Sequence, residues 1–151
     1  MYIFDGAMGT MLQAAGLEEG YCPELFNIER PEVVKNIHAE YLQHGSDVIT
    51  TNTFGACGLK LEDYDLQDRV REINIAAVKV AKDAIAEFKP SARVAGSMGP
   101  TGRFLQPLGN MSFDSIYDTY REQAEALIEG GVDFIIIETI IDVQEMRAAL
   151  L

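Results

Sequence analysis

The stretch Gly45–Thr53, GSDVITTNT, decides the fold because it recurs later in the chain as Gly131–Thr139, GVDFIIIET. The two stretches align without gaps, carry Gly, Asp, Ile and Thr at the same places, and lie 86 residues apart. Each contains an apolar run and follows an amphipathic helix, a pattern typical of a parallel sheet. The offset corresponds to two repeated units of about 43 residues, which fits successive strand–helix units of a (β/α)8 barrel. A chance likeness between two buried strands is the alternative.

Strands alternate with helices along the rest of the chain. The predicted strands are Tyr2–Asp5, Asp47–Thr51, Arg93–Gly96 and Phe134–Ile137, and the predicted long helices are Pro31–Gln43, Leu66–Phe88 and Phe113–Glu129. Ser112 is the expected N-cap of the third helix, and the pair Gly130-Gly131 ends it. Alternation of this kind predicts βαβ units and therefore a parallel sheet.

A further helix is predicted at the end of the sequence. It follows Asp142, for which Glu145 completes a capping box, and Val143 and Leu150 belong to its apolar face. A complete barrel needs about 250 residues, whereas four strands are predicted here. We therefore predict an α/β fold in which residues 1–151 form the N-terminal half of a (β/α)8 TIM barrel, with about the first four βα units. Its open edge and uncovered apolar surface would need cover from another chain.

The charge balance argues against two classes of partner. The chain has 12 basic and 24 acidic residues and a net charge of −12. Binding to nucleic acid or to an anionic membrane needs a basic face, so neither is expected as a partner. The N-terminus lacks the basic and apolar regions of a signal peptide, and no apolar run approaches the roughly 18 residues of a membrane span. We expect a cytoplasmic protein.

The two cysteines give no sign of a metal or redox motif. Cys22 and Cys57 lie 35 positions apart without a CxxC pattern. This spacing predicts two reduced thiols, and a disulfide or a metal site is the alternative. Of the two histidines, His38 is expected between helices or at the surface, and His44 is expected to contact the carbonyl end of its helix.

Polar residues follow all four predicted strands at the end where a βα barrel places its active site. These segments are Asp5–Thr10, Thr51–Gly55, Gly96–Gly102 and Glu138-Thr139. The carboxyl groups of Asp5 and Glu138 can act as acid and base, hold a metal or bind a cation, although each could instead cap a helix. Together with glycine amides they would suit an amino acid, whose ammonium needs acids and whose carboxylate needs N–H groups. Met8 and Met98 could line a pocket for a sulfur-containing substrate.

The same segments, together with Glu24–Ile28 and Pro31–Val34, resemble the homocysteine-binding methyltransferase domain of methionine synthases. The resemblance runs along the whole chain and is closest to the cobalamin-dependent enzymes. It implies that Asp5 and Glu138 hold the ammonium group of homocysteine, and that Gly6, Thr53 and Phe54 line the pocket. Asn52 is expected to support that loop.

The resemblance also implies cofactors that lie outside the chain. The family binds homocysteine as a zinc thiolate that attacks the methyl group of methylcobalamin, recharged from 5-methyltetrahydrofolate. Its zinc ligands are three cysteines in the second half of the barrel, and neither Cys22 nor Cys57 matches them. We therefore expect no metal ligand and no catalytic residue in this chain, which needs the remaining barrel half and the cobalamin and folate domains as partners and is inactive alone. The alternatives are betaine or S-methylmethionine as methyl donor, and a non-catalytic half-barrel scaffold.

Overall fold

A three-stranded parallel sheet forms the centre of the chain in the computed structural model, which describes residues 1–151. The strands are β1 (Val48–Thr50), β2 (Arg93–Met98) and β3 (Phe134–Ile137), and they lie side by side in chain order. Ile49 lies beside Val94 in the ladder between β1 and β2, and Gly96 lies beside Ile135 in the next ladder. The parallel α/β fold predicted from the repeat is confirmed, and the sheet has three strands where four were predicted.

The predicted first strand, Tyr2–Asp5, forms a single bridge from Phe4 to Val48. The backbone N–H of Asp5 donates to the carbonyl of Val48 at 3.0 Å. One rung further along, the N–H of Thr50 donates to the side chain of Asp5, at 2.8 Å, instead of to its backbone carbonyl. The ladder stops there because a carboxylate oxygen has taken the amide that would continue it.

Seven α-helices surround the sheet. They are α1 (Met8–Ala14), α2 (Phe26–Glu29), α3 (Pro31–Gln43), α4 (Gly58–Leu61), α5 (Val70–Phe88), α6 (Phe113–Gly130) and α7 (Val143–Leu150), with short 3₁₀ turns at Pro23–Leu25, Glu62–Tyr64 and Gln67–Arg69. The bounds predicted for α3 are confirmed, and α5 begins four residues later than predicted because a 3₁₀ turn precedes it. Ser112 caps α6 by accepting a bond from the N–H of Ser115, and Gly131 ends that helix with a φ of 87°. The left-handed region suits glycine, which has no Cβ.

Helix α5 packs between α3 and α6 over one face of the sheet. Its buried stripe is rich in small residues, such as Ala77, Ala81 and Ala84, which allow close approach to the strands. Strand β3 remains partly exposed along its whole length, although its apolar run predicted a strand covered on both faces. The helices cover one face of β3, while no segment of these residues covers its outer edge. No helix of the chain is both long and apolar enough to cross a membrane.

The predicted cap of α7 is confirmed, whereas the predictions for Glu145 and for the apolar face of this helix are corrected by the structure. Asp142 caps α7 by accepting from the N–H of Gln144 at 2.7 Å. Glu145, however, does not complete a capping box, because its buried carboxyl group accepts the N–H of Thr101 at 2.8 Å. Helix α7 therefore packs through Glu145 and Ala148, and Val143 and Leu150 are exposed.

The two histidines have opposite environments. The exposed ring of His44 lies 2.7 Å from the carbonyl oxygen of Glu40, as predicted for the end of α3. His38 is fully buried on the same helix, and neither ring nitrogen has a hydrogen-bond partner. Burial lowers the pKa of His38 to about 4, because the charged imidazolium would lose its hydration.

Candidate functional site

The ends of the three strands and the segment after Asp5 surround a cavity of about 240 Å³. Five of the six predicted site residues line it, namely Gly6, Asn52, Thr53, Phe54 and Glu138. Met8, Thr50 and Ser97 line it as well. The residues meet because parallel strands place their C-terminal ends at one edge of a sheet. Convergence of Gly6 and Glu138, which are far apart in sequence, is the main geometric result.

Asp5 lies next to the cavity and is held by β1. Its carboxyl group accepts the N–H of Thr50 at 2.8 Å and the hydroxyl of the same residue at 3.1 Å. Burial raises the pKa of Asp5 to about 6, the bonds from Thr50 oppose that rise, and the negative charge of Glu138 adds to it. A cation that enters the cavity would therefore stabilise the ionised form of this carboxyl group.

Glu138 follows β3 and is fixed to β2. The hydroxyl of Ser97 donates to its Oε1 atom at 2.6 Å, and its backbone N–H donates to the carbonyl of Met98 at 3.0 Å. The next residue, Thr139, has a φ of 63°. A β-branched residue in the left-handed region is strained, and such strain concentrates at functional sites.

Asn52, Thr53 and Phe54 have three different environments. The side-chain amide of Asn52 donates to the carbonyl of Pro23 at 2.8 Å, so it joins the cavity to residues 6–30, here called the long first loop. The hydroxyl of Thr53 is buried and donates to the carbonyl of Ser97 at 2.7 Å. Phe54 is 43% exposed at the mouth of the cavity. Thr53 therefore contributes mainly its backbone, and Phe54 contributes an apolar ring.

The two methionines predicted at the mouth of the cavity lie in different environments. Met8 lines the cavity, whereas Met98 is buried in the apolar core against α6. Successive side chains of a strand point to opposite faces, so the orientation of Ser97 toward Glu138 turns Met98 to the helix side. Ser97 had no predicted role, and its position at the end of a strand was the signal that could have found it.

Metal ligands are not assembled by these residues. No group of three or more His, Cys, Asp or Glu side chains lies close enough to hold a metal ion. Cys22 and Cys57 are free and buried, and burial raises their pKa values to about 12 and about 11. A zinc ligand must be a thiolate, which such an environment disfavours. The residues present do not fit a catalytic zinc site.

The sequence profile of the homocysteine S-methyltransferase family matches residues 2–151. The chain belongs to the homocysteine S-methyltransferase family. The family predicted from the motifs is thereby confirmed. Methionine synthase of Mycobacterium tuberculosis is 41% identical over 97% of this chain, and that of Mycobacterium leprae is 38% identical over the same share. The chain spans 13% of the length of each of these relatives.

Solved structures of the same family have the same fold. The metallated form of the homocysteine methyltransferase MmuM from Escherichia coli superposes with a TM-score of 0.81 at 26% identity, and its oxidized form with 0.82 at 25%. The matches cover 97% and 98% of this chain but only 57% and 56% of those chains. This member of the homocysteine S-methyltransferase family therefore corresponds to somewhat more than half of a related methyltransferase.

Proposed function

We propose that the chain forms about the first four βα units of a (β/α)8 barrel and binds the amino-acid end of homocysteine for transfer of a methyl group to its sulfur. One observation carries this proposal: Glu138 lines the cavity, Asp5 lies beside it where the charge of Glu138 raises its pKa, and neither carboxyl group has a cationic partner of its own. The ammonium group of an amino acid would supply the missing positive charge. Family membership and the similarity to methionine synthases support homocysteine as that amino acid.

The rest of the cavity suits the remaining parts of the substrate. Gly6 and Gly9 lie at its wall, where backbone N–H groups can approach a carboxylate without interference from side chains. The ring of Phe54 and the thioether of Met8 offer apolar and polarizable surface to the carbon chain and sulfur of homocysteine. The predicted roles of Asp5, Gly6, Asn52, Thr53, Phe54 and Glu138 stand as part of this proposal.

The methyl-transfer chemistry would come from parts outside these residues. We assign the zinc ligands, and the domains that bind cobalamin and 5-methyltetrahydrofolate, to further polypeptide in a cytoplasmic enzyme, and we expect the chain alone to be inactive. Zinc would make the homocysteine thiol a thiolate at neutral pH. The resemblance to cobalamin-dependent methionine synthases favours methylcobalamin over betaine or S-methylmethionine as the donor, and the identities of 41% and 38% with two methionine synthases support that resemblance.

The experiment that tests the proposal measures binding of L-homocysteine to the 151-residue chain by NMR titration. Glu138→Gln should weaken binding about tenfold, because a neutral amide cannot pair with the ammonium group. Glu40→Gln is the matched control, since Glu40 is exposed on α3 and its replacement changes the net charge equally. 4-Mercaptobutyrate, which lacks the ammonium group, should bind more weakly than homocysteine and respond little to Glu138→Gln. Equal binding of homocysteine by both variants would remove Glu138 from the site.

A further inference from the structure

The segment Asn52–Ala56, here called the cavity loop, is held by four buried polar side chains that have no assigned role. They are Glu24, Asn27, Asn74 and Gln123, each at most 5% exposed. They come from the 3₁₀ turn Pro23–Leu25, from α2, from α5 and from α6. All four direct a hydrogen bond at a backbone group of the same five residues.

Two of these side chains belong to the long first loop. Oε1 of Glu24 accepts the N–H of Gly55 at 2.7 Å, and the amide of Asn27 donates to the carbonyl of Asn52 at 2.8 Å. Asn52 returns a bond to the carbonyl of Pro23. The motif Glu24–Ile28, which carried part of the family resemblance, therefore clamps the cavity loop near both ends, at Asn52 and at Gly55.

The other two side chains project from the long helices. The amide of Gln123 donates to the carbonyl of Thr53 at 2.8 Å, and that of Asn74 donates to the carbonyl of Ala56 at 2.9 Å. The carbonyl of Phe54 accepts the N–H of Gly99 at 3.0 Å. A backbone group of every residue in the cavity loop is thus bonded to a partner outside it.

Burial of these polar groups is costly by itself. The Oδ1 atom of Asn27 and the Oε1 atom of Gln123 have no hydrogen-bond partner, and a buried unpaired acceptor destabilises a fold. Apolar side chains would fill the same space without that penalty. We therefore attribute the presence of amides at Asn27 and Gln123 to the hydrogen bonds that their N–H groups donate to the backbone beside the cavity.

We propose that Glu24, Asn27, Asn74 and Gln123 are positioning residues that fix the cavity loop in the conformation that binds homocysteine. The inference rests on the proposed function, because Thr53 and Phe54 line the cavity assigned to that substrate. A loop ordered before binding loses little conformational entropy when the ligand arrives. Loss of a clamp should weaken binding even where the protein remains folded.

The test compares Glu24→Met with Glu24→Gln, because glutamine retains an oxygen that can accept the N–H of Gly55. Glu24→Met should weaken homocysteine binding about tenfold, whereas Glu24→Gln should stay within about threefold of the unaltered chain. Amide hydrogen exchange at Gly55 should accelerate in Glu24→Met and remain slow in Glu24→Gln. Gln123→Met provides a second, independent variant at the carbonyl of Thr53, and it should also weaken binding.

A variant that is destabilised outside the cavity loop distinguishes a loss of positioning from a general loss of stability. Leu42 is buried near the C-terminal end of α3, in a cluster with Ile49 and Val94, so Leu42→Ala should lower stability without changing the affinity for homocysteine. All affinities are measured at a temperature at which circular dichroism shows each variant folded. Unchanged affinity in both Glu24→Met and Gln123→Met, or an equal loss in Leu42→Ala, would overturn the inference alone. No binding by the unaltered chain would overturn the proposed function and this inference with it.

Discussion

Ser97 donates a 2.6 Å hydrogen bond to Oε1 of Glu138 and so joins the ends of β2 and β3 at the cavity. Ser97 is buried, while the carboxyl group of Glu138 lies at the cavity wall. The bond limits the rotamers of a flexible side chain before any substrate binds. Orientation of the acid is therefore built into the sheet itself.

Ser97→Ala should weaken homocysteine binding about threefold to tenfold, because Glu138 loses the donor that orients it. Titration by NMR measures the effect. Ser112→Ala is a matched control: Ser112 caps α6, so its loss should cost about 1 kcal/mol of stability and leave binding unchanged. An affinity of Ser97→Ala equal to that of the unaltered chain would mean that binding does not depend on the orientation of Glu138 by Ser97.

Homocysteine affinity should rise with pH through the titration of Asp5. Burial raises the pKa of this group to about 6. An ammonium group favours the ionised carboxyl, so binding releases a proton below that pH, and affinity should increase between about pH 5 and pH 7 and then level off. Calorimetry in buffers of different ionisation enthalpy measures the proton release. Asp5→Asn should bind weakly at every pH, and affinity that falls as pH rises would contradict the assignment.

Acid should destabilise the chain through His38. Its pKa is about 4 when folded and 6.5 as an ordinary histidine, so the unfolded chain takes up the proton first. The contribution of His38 to the free energy of unfolding should fall as pH decreases from 6.5 to about 4, by up to about 3 kcal/mol in total, and change little below that. Urea unfolding as a function of pH measures the slope. The difference in slope between the unaltered chain and His38→Leu isolates this contribution, because the raised pKa of Asp5 changes stability in the opposite direction between about pH 4 and pH 6. Equal slopes in the two proteins would contradict the prediction.

Gly99→Ala should distort the mouth of the cavity. A Cβ atom at this position would lie 2.7 Å from both the ring and the carbonyl oxygen of Phe54, so Phe54 must move. We expect a loss of about 1–3 kcal/mol in stability and weaker homocysteine binding. Gly9→Ala is the stability control, because a methyl group there meets no atom within 4 Å. Stability equal to that of the unaltered chain would contradict the close contact.

Zinc should not bind stoichiometrically to the 151-residue chain. The two thiols are buried, their pKa values are raised to about 12 and about 11, and no three ligands converge. Equilibrium dialysis with a colorimetric zinc assay measures the occupancy. Tight, stoichiometric zinc that is lost in Cys22→Ser or Cys57→Ser would overturn the conclusion that these residues do not fit the metal.

Local regularities of the sequence determined the helices, the parallel sheet and the place of the cavity. Helical periodicity and caps act between residues within one turn, so the bounds of α3 and the cap at Ser112 follow from neighbouring residues. Parallel strands share one end, so the polar residue Glu138 could be expected near Gly6 from the pattern alone. The family followed from motifs in the same order along the chain.

Only the tertiary structure decided which polar side chains serve the cavity. The sequence predicts Glu145 as part of a capping box, yet its carboxyl group accepts a hydrogen bond from Thr101, 44 residues away. Gln123 lies on an amphipathic helix, yet its amide holds the carbonyl of Thr53 across 70 residues. The direction of such a side chain depends on which backbone groups the packed helices leave without partners, and short-range patterns carry no information about that. The sequence therefore determined where the cavity lies, and the packing of α5, α6 and the long first loop decided how its wall is held.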